Sequence, residues 1–158
     1  MGLPRYNIPM GFPACGEIEN YLHRHIPLSA AMGVSVVEAA ADGVVIGAPF
    51  EPNLNHQDTV FGGSASAVAI LAAWTLVNFR LRKHGINGRV VIHRNRMHYE
   101  KPILARFLAR TEPTPDDEWE WFLGVYRRMG KSRVRIRCVL ECDGERVARM
   151  DGHFVALK

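Results

Sequence analysis

The longest feature of the chain is apolar on every side. Residues 65–81 are small or hydrophobic almost throughout, and the first charge is Arg80. A stretch with no polar face marks a helix covered all round. It opens at the Gly62-Gly63 pair and stops at Gly85, a span of roughly 30 Å at the helical rise. Arg80, Arg82, Lys83 and His84 gather at its end, where positive charge suits the helix dipole. Ser, Thr and Asn interrupt it too often for a membrane span, and none is expected.

Elsewhere the pattern alternates or shows one apolar face. Ile18, Tyr21, Leu22 and His25 share a helical face over residues 16–26, and Pro27 is read as its stop. Two Val-rich runs, 32–40 and 44–50, flank Asp42-Gly43, a hairpin signal. Residues 89–99 form a long strand with polar side chains on both faces. Val91, His93, Asn95, Met97 and Tyr99 are placed on one face, and Val90, Ile92, Arg94, Arg96 and His98 on the other. A strand with one packed face needs no such mixture, so part of it is expected to border a wet groove. After Lys101-Pro102 a strand resumes over 103–111.

Thr114 is read as a helix cap, with Pro115 at the first position and Asp116 and Asp117 in the first turn. Trp119, Phe122, Leu123 and Tyr126 follow at i, i+3, i+4 and i+7, and Gly130 ends the run. Residues 132–142 alternate Arg with apolar side chains. Asp143-Gly144 then turns the chain into 145–157, where Ala148, Met150, Gly152, Phe154 and Ala156 form the apolar face. Six strands and one wholly buried helix imply an α+β chain, an antiparallel sheet wrapped around a single long helix with short flanking helices. No Gly-rich phosphate loop follows a strand, which argues against a nucleotide-binding α/β fold.

The 158 residues suit one domain, read as 16–158 behind an irregular lead-in over 1–15. A net charge of +4, spread along the chain, fits an anionic small molecule at least as well as nucleic acid. The basic stripe Arg133, Arg135, Arg137 lacks interleaved aromatics, so no nucleic-acid partner is expected. Cys138 and Cys142 sit about 13 Å apart on an extended strand, beyond disulfide reach. With no secretory signal in view, a reducing cytoplasm is expected. His23 and His25 are two apart, where helical metal ligands sit four apart, and no metal is expected.

The chemistry gathers around Asn55-His56-Gln57-Asp58-Thr59-Val60-Phe61-Gly62-Gly63-Ser64. This stretch, the Ala-rich helix through Trp74, the Tyr99-x-x-Pro102 pair and the closing Gly152-His153-Phe154-Val155-Ala156 resemble the hot-dog fold thioesterases. The nearest resemblance is to the thioesterase-like domain of YiiD-type proteins, over about residue 16 to the end. It implies hydrolysis of acyl-CoA or acyl-carrier-protein thioesters by a dimer or dimer of dimers, with sites at the subunit interface. It implies no cofactor beyond the coenzyme A of the substrate. In a related branch the Asn lies by the thioester, the N–H of the second Gly polarises its carbonyl, and a carboxylate on the helix acts on water. Carried over, Asn55 and Gly63 fit these roles. Phe61 stands where that branch has His, Asp58 where it has Gly, and Ile70 where it has the acid.

Read from the residues, Gly63 and Ser64 are the candidate oxyanion donors, since a helix start leaves its N–H groups unpaired. Gly62 permits close approach, and the alternative for the glycines is plain packing against a strand. Asp58 is the loop's one carboxylate, a candidate base or nucleophile, or else a local turn residue. Asn55 orients water or carbonyl, or is likewise a turn residue. His56 shares proton transfer or is a surface histidine. Ser64 and Ser66 lack a nucleophile-elbow context, so helix-start packing is the reading there. Arg94, Arg96 and His98, with His56, Phe61 and Gly62, are the candidate substrate contacts, the two arginines matching phosphates. A non-catalytic acyl-thioester binder of the same fold stays open, because the helix acid is missing. A hydratase is a weaker third reading.

Overall fold

The structure, a computed structural model, describes residues 13–158. Most of the lead-in expected over 1–15 therefore lies outside the described residues. The elements run α1 (Cys15–His25), α2 (Pro27–Ala31), β1 (Ser35–Ala39), β2 (Val44–Ala48), a 3-10 turn (Glu51–Asn53), α3 (Gly62–Lys83), β3 (Arg89–Tyr99), β4 (Phe107–Thr111), α4 (Asp116–Met129), β5 (Lys131–Cys142) and β6 (Glu145–Leu157).

The six strands make one sheet in the order β1-β2-β4-β5-β6-β3, every neighbouring pair antiparallel. Helix α3 packs against β2, β3, β4, β5 and β6. Val68, Ala72, Leu76, Val77 and Phe79 on the helix are buried among Ile46, Phe107, Ile136, Leu140, Met150 and Phe154 of the sheet. The frequent alanines of α3 let the strands close on it. This is the hot-dog fold, and α3 is the rod inside it. Among the described residues α3 alone is long and apolar enough to cross a membrane, yet 67% of its apolar window is buried within the fold.

Both hairpins form where Gly follows Asp. Ala40 and Gly43 exchange two backbone hydrogen bonds of 2.9 and 3.3 Å across the first. The second carries positive φ at both Asp143 (52°) and Gly144 (77°), the tight turn that matches strand twist. Helix α4 buries the expected Trp119, Phe122, Leu123 and Tyr126 and ends on Gly130 at φ 68°, whose N–H donates to the Tyr126 carbonyl.

Four sequence readings need correction. Pro27 does not merely stop α1; it is the first residue of α2, a place its fixed φ suits, and β1 begins three residues later than expected. Thr114 does not cap α4. Pro115 takes the cap position and the helix starts one residue later, at Asp116. The strand expected over 103–111 is confined to Phe107–Thr111, because Ile103 serves the loop instead: its carbonyl accepts from the Val60 N–H at 2.9 Å.

The fourth concerns β3. Ile92 pairs with Phe154 and Arg94 with His153, its next neighbour, so His93 is an extra residue in a β-bulge. The bulge reverses the alternation. Val90 and Ile92 before it, and Asn95, Met97 and Tyr99 after it, lie opposite the core-facing Ala156, Phe154, Gly152, Met150 and Ala148. Val91, Arg94, Arg96 and His98 face the other way. The polar character of both faces thus reflects one shifted register.

Candidate active site

The chain enters α3 through a loop tied to itself. Asn55 Oδ1 accepts from the N–H of Gln57 (2.8 Å) and of Thr59 (3.2 Å), and Asn55 Nδ2 donates to Thr59 Oγ1 (2.8 Å). This is an asparagine turn, and it engages both polar ends of the side chain. Asp58 sits at its apex at φ 56°, a left-handed conformation that Asp tolerates better than most residues. Behind the loop Asn53 is buried and donates through Nδ2 to the Met32 and Pro49 carbonyls, while its own carbonyl receives the Phe61 N–H at 2.7 Å.

Phe61 is the N-cap of α3 and has no side-chain acceptor to offer. The first backbone bond of the helix runs from the Ala65 N–H to the Phe61 carbonyl, 3.1 Å. The N–H groups of Gly62, Gly63 and Ser64 are the unpaired donors of a helix start, and the helix dipole adds positive potential there. Gly63 is exposed and Gly62 partly so. A side chain at Gly63 would put Cβ 2.3 Å from the Phe61 ring, so the bare backbone is what lets that ring lie over the turn.

A cleft of about 400 Å³ reaches this end of the helix, lined by Gln57, Thr59, Gly62, Tyr99, Glu100 and Ile103 among others. Tyr99 O–H donates to the Gly62 carbonyl at 2.7 Å. Burial pushes the Tyr99 phenol pKa up, so it stays a donor. The Gly62 carbonyl and the Gly63 N–H belong to one planar trans peptide and point opposite ways. Anchoring the oxygen therefore aims the Gly63 N–H. Sequence reasoning quoted Tyr99 but gave it no role; the signal was a Tyr at a strand end followed by Pro102. Asn95 adds a second tie between β3 and the helix start, donating from Nδ2 to Ser66 Oγ at 3.1 Å.

The structure brings Gly62, Gly63, Ser64, Asn55 and Asp58 into one neighbourhood. His56, Asp58 and Phe61 are exposed around it. It does not bring Arg94, Arg96 and His98 there within one chain. They stand on the sheet face turned from α3, where His98 shares a groove with Arg135 and Arg149. Ile70 is half-buried against the core. The carboxylate that lines the cleft is Glu100, engaged by Arg146 (2.9 Å) and Arg149 (3.2 Å), and Asp58 is not among the lining residues.

Similar folds are known. A protein of unknown function from Chlorobaculum tepidum matches at 25% identity and TM-score 0.86, with 91% of this chain and 94% of that one covered. A thioesterase named as putative, from Shewanella oneidensis, matches at 24% identity and TM-score 0.81, covering 91% and 97%. The thioesterase HI1161 from Haemophilus influenzae shares the fold at TM-score 0.73 with 11% identity, covering 92% of each chain. A family model described as "Putative thioesterase (yiiD_Cterm)" matches residues 15–158, the whole sheet and every helix, and the chain belongs to that family.

Proposed function

We propose that the chain hydrolyses acyl thioesters of coenzyme A or of an acyl carrier protein at the start of α3. The observation that carries this reading is the cleft ending on Gly62, with the unpaired N–H groups of Gly63 and Ser64 beside it and Tyr99 fixing the Gly62 peptide. A thioester carbonyl set there meets donors aimed where negative charge grows as water attacks the carbonyl carbon. The tetrahedral intermediate collapses by breaking the C–S bond, and the departing thiolate takes up the proton drawn from the attacking water. Asp58 takes the proton of the attacking water, and Asn55 holds the loop that presents it. Family membership supports thioester hydrolysis in general.

The free edge of β3, with Val91 and Tyr99 46% and 53% exposed, supports a homodimer closed along that strand. Across that edge Arg94, Arg96 and His98 meet the phosphates of coenzyme A. A panel of acyl-CoAs assayed for free thiol tests the reading, with Asp58→Ala and Asn55→Ala beside the parent. Turnover that Asp58→Ala abolishes supports it; a panel left intact sinks it. The second reading, a non-catalytic binder, draws on Ile70 and on the ion-paired state of Glu100. It requires acyl-CoA bound and recovered uncleaved.

A further inference from the structure

The cleft that ends on Gly62 is lined on its apolar side by Val60, Ala65, Pro102 and Ile103. Its polar side chains are those of Gln57, Thr59, Tyr99, Glu100 and Lys101. All but one of these are engaged. Thr59 Oγ1 accepts from Asn55 Nδ2 at 2.8 Å, and the Tyr99 hydroxyl donates to the Gly62 carbonyl at 2.7 Å. Glu100 meets Arg146 and Arg149, and Lys101 Nζ donates to Glu145 Oε2 at 2.6 Å.

The exception is Gln57. Its carboxamide makes no hydrogen bond to any described residue, while its backbone is held. The Gln57 N–H donates to Asn55 Oδ1 at 2.8 Å, and the next N–H, of Asp58, donates to the Asn55 carbonyl at 3.3 Å. A free amide is thus carried into the cleft on a fixed turn. Both charges of the lining are answered by their own partners, so the cleft offers a ligand apolar surface and one uncharged amide. That suits a thin, uncharged, mostly hydrocarbon chain with an amide of its own. A phosphate wants unengaged cations, and a plain alkyl chain leaves the carboxamide unused.

We propose that Gln57 holds the pantetheine arm of the substrate by the amide nearest the sulfur. The arm is common to coenzyme A and to acyl carrier proteins. It is a run of methylenes broken by secondary amides, and its first polar group beyond the sulfur, one ethylene link away, is an amide N–H. With the thioester carbonyl at the start of α3, the arm runs out along the cleft and Gln57 Oε1 accepts from that N–H. Gln57 is then a specificity residue for the thiol side of the ester. The inference rests on the thioester reading for its substrate, but it concerns binding rather than hydrolysis, so the two can fail apart.

Titration calorimetry with thioethers, which cannot be hydrolysed, is the test. One probe is S-octyl-N-acetylcysteamine, which keeps the amide; the other is its ester isostere, with oxygen in place of the N–H. The parent binds the amide about three- to tenfold more tightly, the worth of one uncharged hydrogen bond. Gln57→Leu binds both at the weaker level, and Gln57→Glu, which keeps an acceptor, retains the preference. Octyl thioethers of coenzyme A and of a loaded carrier protein carry the same arm and weaken by the same factor on Gln57→Leu; the one the parent binds more tightly identifies the source. A parent that binds amide and ester alike, a preference that survives in Gln57→Leu, or no saturable binding of either probe would overturn the assignment. The predicted preference in a chain that frees no thiol from any acyl-CoA would sink hydrolysis and uphold the Gln57 contact.

Discussion

The two ends of α3 are built from one helix and behave as opposites. At its start, Gly62, Gly63 and Ser64 offer bare amides to a cleft, and the nearest side chains are the Phe61 ring, one tyrosine and a self-tied loop. At its finish two of the arginines are engaged by aromatic rings and a carbonyl. The Arg80 guanidinium lies over the Trp119 ring at 4.4 Å and donates to the Ala41 carbonyl, and Arg82 lies over Tyr21 at 5.3 Å. Backbone carbonyls, aromatic faces and the dipole all favour cations there. The difference teaches that reactivity here comes from what is withheld. The start is left without a capping side chain, whereas the end is closed by α1 and α4.

Changes along the rod should separate stability from activity. The largest effect is expected in its middle. Leu76 is 1% exposed, and Leu76→Ala should cost roughly 2–5 kcal/mol in urea unfolding. At the start, Gly63→Pro removes the proposed donor where a helix tolerates proline, and Gly63→Ala, which displaces the Phe61 ring in the same way but keeps the N–H, is its control. Thioester turnover should fall about 10²–10³-fold while the circular dichroism spectrum holds, equivalent to roughly 3–4 kcal/mol of transition-state stabilisation. Unchanged turnover would place the chemistry elsewhere.

Tyr99→Phe loses one hydrogen bond. Stability should drop by about 1 kcal/mol, and kcat should fall with KM little changed, since the bond aims a donor rather than holding substrate. Smallest is a control far from both ends. Asp151, bound by Arg135 through Nε at 2.8 Å, has its carboxyl pKa held below the ordinary 3.8, chiefly by that hydrogen bond. A depressed folded pKa contributes stability above 3.8 that disappears as pH falls through the folded value. The pair is partly exposed, so Asp151→Asn should cost under about 1 kcal/mol at pH 7, shrinking as acid titration protonates the parent.

Much of this frame was legible in the chain. The all-apolar run of α3 required a sheath, and alternating strands with two Asp-Gly turns supplied one. The stripe of α4 gave its buried face residue by residue. What escaped depends on tertiary contacts. The His93 bulge has no glycine or proline to mark it, so the pattern alone predicts an unbroken alternation on β3, while the groove it predicts does run past Tyr99 and His98. Five-residue α2 is too short for periodicity to register, and its proline looked like an end. Tyr99 lies 37 residues from Gly62, and only the sheet's closure on the helix makes them partners. For Asn55 the chain alone allows a residue that orients water or the carbonyl, or a turn residue, and the hydrogen bonds made within the loop supply the turn.

The claim that the helix start receives the thioester is tested most directly by a crystal structure with a non-hydrolysable acyl-CoA analogue. The account predicts the oxygen that mimics the thioester carbonyl at about 3 Å from the N–H groups of Gly63 and Ser64. An analogue seated with that oxygen away from α3, or with those amides still turned to water, would contradict it.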